Sequence, residues 1–421
     1  MYKISIIGGN KLSGNIAISG AKNASLPLMA SSLLTEEDLI LGNIPQLNDV
    51  RDMGKLLANM GVDLKFNSKE LILNAKNITS YKADYDLVRK MRASVLVLGP
   101  LLARRGSAQV SLPGGCSIGT RPIDLHLDIL NKMGANIELK DGYINASVGK
   151  KGIHGCKYHF PQISVGATEN ALMAASLANG TTLLTNTARE PEVTDLSRCL
   201  VKMGAKIDGI GSDSIEIEGV SELRGAYHKV IFDRIEAGTF AVAAAITGGK
   251  VFLEGIKPDI MQSILTTLTV AGVKIEIEEE GFWVIGDSQI NSFDITTKAF
   301  PGFPTDMQAQ MVALASLANN SSLITETIFE NRFMHVPELL RMGANIKTSG
   351  NSALIRGVKY LTGAQVMATD LRASVSLILA GLVAKGETKV GRIYHLDRGY
   401  EKLEKKLRNC GANIKRIKED L

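Results

Sequence analysis

A cysteine set among glycines is the first place in this sequence where chemistry can be expected. The run from Leu112 to Pro122 holds Gly114, Gly115 and Gly119 around Cys116, and glycines at that density make a flexible, backbone-exposing loop that reads as a lid. Arg105 and Arg121 are near in sequence, and a neighbouring cation favours the thiolate. Such a residue could serve as nucleophile, general acid or redox thiol, or it could be a small apolar group packed under the loop. Cys156, Cys199 and Cys410 have no comparable setting. The four are far apart with no CxxC pairing, so neither a zinc site nor a disulfide framework is expected.

Cations recur where helices are expected to begin. These starts read Ala21-Lys22-Asn23-Ala24, Lys90-Met91-Arg92-Ala93, Val165-Gly166-Ala167-Thr168, Pro304-Thr305-Asp306-Met307 and Thr369-Asp370-Leu371-Arg372. A helix N-terminus offers unpaired N–H groups and a positive dipole end, so Lys22, Arg92 and Arg372 there would gather a phosphate or carboxylate. The plainer alternative is that they are solvated, or paired with Asp86 and Asp370. Asp306 follows Phe300-Pro301-Gly302-Phe303-Pro304, where two prolines fix the backbone and hand it to a helix start. It is either an acid complementing the dipole or a rigidly presented general base. His126 and His335, each alone in a helical stretch, read as structural.

The elements that must position these residues form a repeat. Met60-Gly61-Val62, Met133-Gly134-Ala135, Met203-Gly204-Ala205, Ala271-Gly272-Val273, Met342-Gly343-Ala344 and Cys410-Gly411-Ala412 are versions of one phrase, at a period of ~70 residues. Each closes an amphipathic stretch at a glycine suited to a left-handed cap and opens an alternating strand. Upstream of each lies an apolar helix: 24–34, 87–103, 167–178, 237–247, 307–318 and 371–384. Apolar residues fill several faces of these helices, so they are expected to be buried, with strands outside.

The unit is therefore strand, helix, strands, helix, strand. Its joints, near Gly20-Ala21 and Phe232-Asp233, predict an α/β protein of two domains with three repeats each. Residues 21–232, carrying the Cys116 loop, form one; residues 1–20 with 233–421 form the other. An open solenoid is the alternative on periodicity alone.

At 421 residues the chain exceeds one ordinary core. It is 45% hydrophobic but only 5% aromatic, which argues against stacking platforms for single-stranded nucleic acid. Its net charge of +5 is dispersed, with no run that reads as a nucleic-acid arm or membrane patch. No signal-peptide pattern and no apolar run near ~20 residues occurs, so a protein of the cytoplasm without membrane insertion is expected.

Taken together the motifs resemble a known family. Lys22-Asn23, the segment Pro113 to His126 with Cys116 and Arg121 inside it, Phe303 to Asp306, Glu330 to Phe333, Asp370 to Ser374 and His395 to Tyr400 are similar to the UDP-N-acetylglucosamine 1-carboxyvinyltransferases. The likeness spans essentially the whole chain, in family order and spacing. It implies an inside-out α/β barrel in each domain, an active site in the cleft between them, and no metal or organic cofactor. The implied reaction moves the enolpyruvyl group of phosphoenolpyruvate to the 3′-hydroxyl of UDP-N-acetylglucosamine, the first committed step of peptidoglycan synthesis. A monomer acting on these two small molecules, with no nucleic-acid partner, is expected.

By the same resemblance Cys116 is the general acid and the thiol that can form an adduct with phosphoenolpyruvate, and Asp306 takes the 3′-hydroxyl proton. Lys22, Arg121 and Arg398 hold phosphate, and Arg92 and Arg372 help gather charge. Asn23 and Asp306 face the sugar. The nucleotide lies against Arg121, Pro122, Ile123, Asp124 and Leu125 and against Gln162, Ile163, Ser164 and Val165, with Ile328 as a further contact. Arg332 and Asp370 stand near the reacting centre. Gln162 replaces a lysine found in many relatives, which would remove a charge contact to the diphosphate.

Two competing functions are weaker. The shikimate-pathway enolpyruvyl transferase shares the architecture and chemistry but lacks the Gly-Gly-Cys lid. A noncatalytic UDP-sugar regulator would be expected to lose polar positions such as Lys22, Cys116, Asp306 and Arg398, all of which are present.

Overall fold

Glycine decides where each outer helix stops. The computed structural model describes residues 2–67, 69–89, 91–112 and 123–418; Cys116, Arg121 and Pro122 lie outside the described residues. Within them, outer helices Asn48–Asn59, Asp124–Lys132, Pro191–Lys202, Gln262–Val270, Val336–Arg341 and Leu403–Asn409 are followed by Gly61, Gly134, Gly204, Gly272, Gly343 and Gly411. All six glycines have φ between +89° and +108°, left-handed values that a side chain resists. The repeated phrase is thus a repeated backbone requirement.

After five of these glycines the chain forms a hairpin, as in Asp63–Asn67 with Glu70–Asn74 or Asn345–Ser349 with Ser352–Arg356. The sixth strand, Asn413–Lys418, pairs instead with Tyr2–Ile7. The N-terminal strand therefore completes the last repeat.

The strands form four-stranded sheets, three in each of two compact units: Met1–Ser19 with Phe232–Leu421, here the C-terminal unit, and Gly20–Gly115 with Arg121–Ile231, the N-terminal unit. Every described sheet places one parallel edge strand beside an antiparallel set. Two edge strands come from far along the chain. Ser13–Ala17 pairs with Lys250–Glu254, and Ala226–Lys229 pairs with Asp38–Gly42. The strand leading into the first inner helix therefore belongs to the other unit's sheet, as the joint near Gly20-Ala21 implies.

The inner helices are α1 (Lys22–Ser31), α2 (Leu98–Arg105), α3 (Val165–Ala175), α4 (Arg234–Thr247), α5 (Gln308–Ala315) and α6 (Leu371–Gly381). Every residue of α4 and α5 is buried. Each unit has its own apolar cluster built around its three inner helices, with alternating strands such as Ser214–Glu218 facing water on one side. Helices inside and sheets outside make each unit an inside-out α/β body. Burying a side chain such as Phe240, 1% exposed, is worth about 1.5–3 kcal/mol.

One expected helix is broken. The stretch 87–103 is a short turn, Tyr85–Val88, then a 3-10 run, Arg92–Val97, then α2. Pro100, inside α2, has no N–H for the Leu96 carbonyl, so the α-helical ladder cannot extend back through it. Arg92 consequently begins a 3-10 turn.

Candidate active site

In the C-terminal unit a carboxylate is gripped by two buried guanidiniums. Asp306 sits in the turn Thr305–Met307 that opens α5, after an extended Pro304. Arg332 Nη2 donates to its Oδ1 at 2.7 Å and Arg372 Nη2 to its Oδ2 at 2.6 Å. The arginine side chains are 3% and 6% exposed and Asp306 24%. Two cations on one carboxylate leave a net positive charge, a setting that attracts anions. Burial alone would lower the Arg372 pKa, but the adjacent Asp306 carboxylate outweighs it and the net shift is upward, so this guanidinium stays charged.

Arg372 is aimed by its helix. Asp370 caps α6, its Oδ1 accepting from the backbone N–H of Arg372 at 2.7 Å and of Ala373 at 3.0 Å. Asp370 thus serves the backbone, while the guanidinium goes to Asp306. Its charge also reaches His335 and His395. After burial, Arg332 pulls the His335 pKa down and Arg398 pulls the His395 pKa down, so Asp370 shares one imidazole with each arginine. Arg398 ends the 3-10 run Ile393–Arg398 and is half-buried.

Ile328 is held 40% exposed by a carboxylate that residue patterns did not mark. Buried Glu326 accepts from Thr297 (2.9 Å), Thr305 (2.8 Å) and the backbone N–H groups of Ile328 (2.8 Å) and Phe329 (3.2 Å). It ties the Ile328 loop to the turn carrying Asp306.

In the N-terminal unit Lys22 is the first residue of α1, beside exposed Asn23. Its Nζ is 2.8 Å from Asp49, which is 2% exposed. This pairing offsets the cost of a cation at a helix N-terminus. The only prior hint of Asp49 was its place in the first turn of an amphipathic stretch.

Two segments expected to hold a nucleotide converge here. His126 Nδ1 accepts from Asn170 Nδ2 at 2.9 Å, and Asn170 also donates to the Val95 carbonyl (3.0 Å) and accepts from Gly99 N–H (2.8 Å). His126 is therefore a neutral imidazole with its proton on Nε2, its pKa pulled down to about 4 by burial and then by Arg92. A Cβ on Gly166 would come within 3.0 Å of the His126 ring, so the start of α3 lies directly against the helix carrying Asp124 and Leu125. Ser164 caps α3 through Ala167 N–H at 3.3 Å, leaving Gln162 and Ile163 exposed ahead of it and Val165 half-buried. Ile123 and Leu125 are half-buried and Asp124 exposed.

Among the described residues no cluster of three His, Cys, Asp or Glu stands ready for a metal, and no helix is long and apolar enough to cross a membrane.

The EPSP synthase (3-phosphoshikimate 1-carboxyvinyltransferase) family model matches residues 6–407. A UDP-N-acetylglucosamine 1-carboxyvinyltransferase of Paramagnetospirillum magneticum is 58% identical, covering 100% of this chain and 99% of the relative. One from Rhodospirillum centenum is 57% identical over the full length of both. Among solved structures, the enolpyruvyl transferase NikO from Streptomyces tendae superposes with a TM-score of 0.89 at 24% identity, over 99% of this chain and 98% of that one. An EPSP synthase from Acinetobacter baumannii does so at 0.77 and 21% identity, over 99% and 100%. These two likenesses are of fold.

Proposed function

Since the chain belongs to the UDP-N-acetylglucosamine 1-carboxyvinyltransferases of the EPSP synthase family, we propose that it moves the enolpyruvyl group of phosphoenolpyruvate onto the 3′-hydroxyl of UDP-N-acetylglucosamine through the residues described above. The hydroxyl oxygen attacks C2 of phosphoenolpyruvate while C3 takes a proton, giving a tetrahedral intermediate. That intermediate then loses a proton from C3 and expels phosphate to regenerate the double bond.

Asp306 receives the hydroxyl proton. The observation that carries this assignment is its carboxylate, 24% exposed and held by Arg332 and Arg372 on its two oxygens. Cys116 delivers the proton to C3, a role that rests on resemblance. Lys22, Arg121 and Arg398 take the phosphate, with Arg92 and Arg372 adding charge. Positive groups prearranged in this way stabilise the intermediate and the leaving phosphate more than the neutral hydroxyl they start from. Asn23 and Asp306 face the sugar. The uridine diphosphate lies along Arg121 to Leu125 and Gln162 to Val165, with Ile328 as a further contact; Gln162, lacking a charge, weakens the grip on the diphosphate. The same reading has the chain act in the cytoplasm as a monomer, on small molecules alone.

Phosphate release from phosphoenolpyruvate tests the reading. It should appear with UDP-N-acetylglucosamine and not with shikimate 3-phosphate; the reverse preference would move the chain to the other branch of its family.

A further inference from the structure

The buried side of Arg372 is as fully specified as the side that meets Asp306. Its Nη1 lies 3.2 Å from the Tyr400 hydroxyl, and that hydroxyl is 2.9 Å from Thr239 Oγ1. Tyr400 is 2% exposed, Thr239 1%, Gln310 0% and Arg372 5%, so no bulk water competes for these groups. The polarity of the chain can be assigned. Thr239 spends its only hydrogen on the Ile235 carbonyl of its own helix, α4, at 2.8 Å, and its oxygen must therefore accept from Tyr400. Gln310 Nε2 also approaches Thr239 Oγ1, at 3.1 Å, filling the second lone pair. With its own hydrogen committed to Thr239, the Tyr400 oxygen can only accept from Arg372.

The same Gln310 amide donates to the backbone carbonyl of Asp306 at 2.9 Å. Both members of the Asp306–Arg372 pair are thus tied to Thr239, Arg372 through Tyr400 and Asp306 through Gln310. Three inner helices, α4, α5 and α6, contribute Thr239, Gln310 and Arg372. A planar guanidinium with donors on two edges is oriented only when both edges have acceptors, and here one acceptor is the proposed base while the other is fixed from inside the core.

We propose that Tyr400 is a positioning residue for the reaction, acting through Arg372, with Thr239 setting the direction of its hydroxyl. The proposal deepens the functional reading above and rests on it. Tyr400→Phe keeps the ring, which lies 5.8 Å from the Arg372 guanidinium, and removes only the hydroxyl, with its acceptance from Arg372 and its donation to Thr239. Losing a hydrogen bond to a charged group corresponds to roughly 10- to 100-fold in rate.

The experiment is steady-state kinetics of the full chain and its variants with both substrates. Tyr400→Phe should lower kcat by about 10- to 100-fold and raise the KM for phosphoenolpyruvate, while the KM for the nucleotide sugar stays near the parent value. Thr239→Ser, which retains the hydroxyl, should behave like the parent, and Thr239→Val should fall between. Gln310 keeps its bond to the Asp306 carbonyl when Thr239 is replaced, so the double variant Tyr400→Phe/Thr239→Val should be no worse than Tyr400→Phe, because both cut the relay to Arg372. An unchanged phosphoenolpyruvate KM in Tyr400→Phe, or multiplying losses in the double variant, would overturn the proposal. Turnover by the parent chain tests the underlying reaction, and the ratio of variant to parent tests the relay, so the two failures are distinct.

Discussion

Arg372 Nη2 and Asp306 Oδ2 are 2.6 Å apart, although 66 residues separate them and each also opens a buried helix. The contact makes the start of α5 and the start of α6 one charged unit. Arg372 needs a forked donor to reach Asp306 and Tyr400 together. Lysine, a single point donor, can satisfy only one of them. Arg372→Lys should therefore lower kcat/KM for phosphoenolpyruvate by about 10- to 1000-fold, the loss of one to two charge-assisted hydrogen bonds. Steady-state kinetics check this, and a value within about twofold of the parent would show that the fork is unnecessary.

Glu169, in α3, is 3% exposed, and its pKa is pushed well above the ordinary carboxylate value, first by burial and then by the neighbouring charges of Glu192 and Glu190. The folded state keeps a proton that the unfolded chain releases above about pH 4.3. The folded state then binds more protons, so this group's contribution makes stability fall as pH rises from there toward its elevated folded value. Glu169→Gln cannot ionise and should raise the denaturation midpoint at pH 8 while leaving it near the parent value at pH 4. Urea titrations at the two pH values measure this; an equal or larger gain at pH 4 would count against a buried neutral acid.

His126 has the opposite sign. Its pKa is about 4 in the fold, against about 6.5 unfolded, so the unfolded chain binds the extra proton between those values. Stability should be lost as pH falls from about 6.5 towards 4, by up to about 3 kcal/mol from this residue. Unfolding at pH 7 and pH 5 should show a smaller difference for His126→Gln than for the parent. An equal difference would mean that His126 does not titrate as the fold requires.

These residues also mark what the sequence can and cannot reveal. Gly61, Gly134, Gly204, Gly272, Gly343 and Gly411 were legible because a left-handed cap is a local demand that leaves a glycine behind. The buried character of α4 was legible from its small apolar residues. Tyr400 stood inside a recognised motif and still went unread, since its partners Arg372, Thr239 and Gln310 lie 28, 161 and 90 residues away. Asp49 beneath Lys22 and Glu326 beneath Ile328 are of the same kind: pairings made by the closed fold, with no local trace. Pairing of the Arg372 charge with Asp370 is only the plainer alternative in the sequence, and in the fold Asp370 caps the Arg372 backbone instead, a distinction that only geometry makes.

The four thiols should separate chemically. Burial raises the pKa values of Cys156 and Cys410 and pushes Cys199 up to about 12, which leaves little thiolate on any of them at neutral pH. Fosfomycin, an epoxide that mimics phosphoenolpyruvate, should therefore modify Cys116 first, and faster with UDP-N-acetylglucosamine present. Peptide mapping after brief exposure identifies the sulfur; labelling of Cys156, Cys199 or Cys410 at a comparable rate would argue against Cys116 as the reactive group.

In the proposed reaction Asp306, held by Arg332 and Arg372, takes the proton of the attacking hydroxyl. Asp306→Asn keeps the shape and one acceptor oxygen but removes the base. Calorimetric titration should give a nucleotide-sugar Kd within a few-fold of the parent, while turnover measured as phosphate release falls by a factor on the order of 10² to 10⁴. Turnover close to that of the parent, with the nucleotide sugar still bound, would contradict the claim.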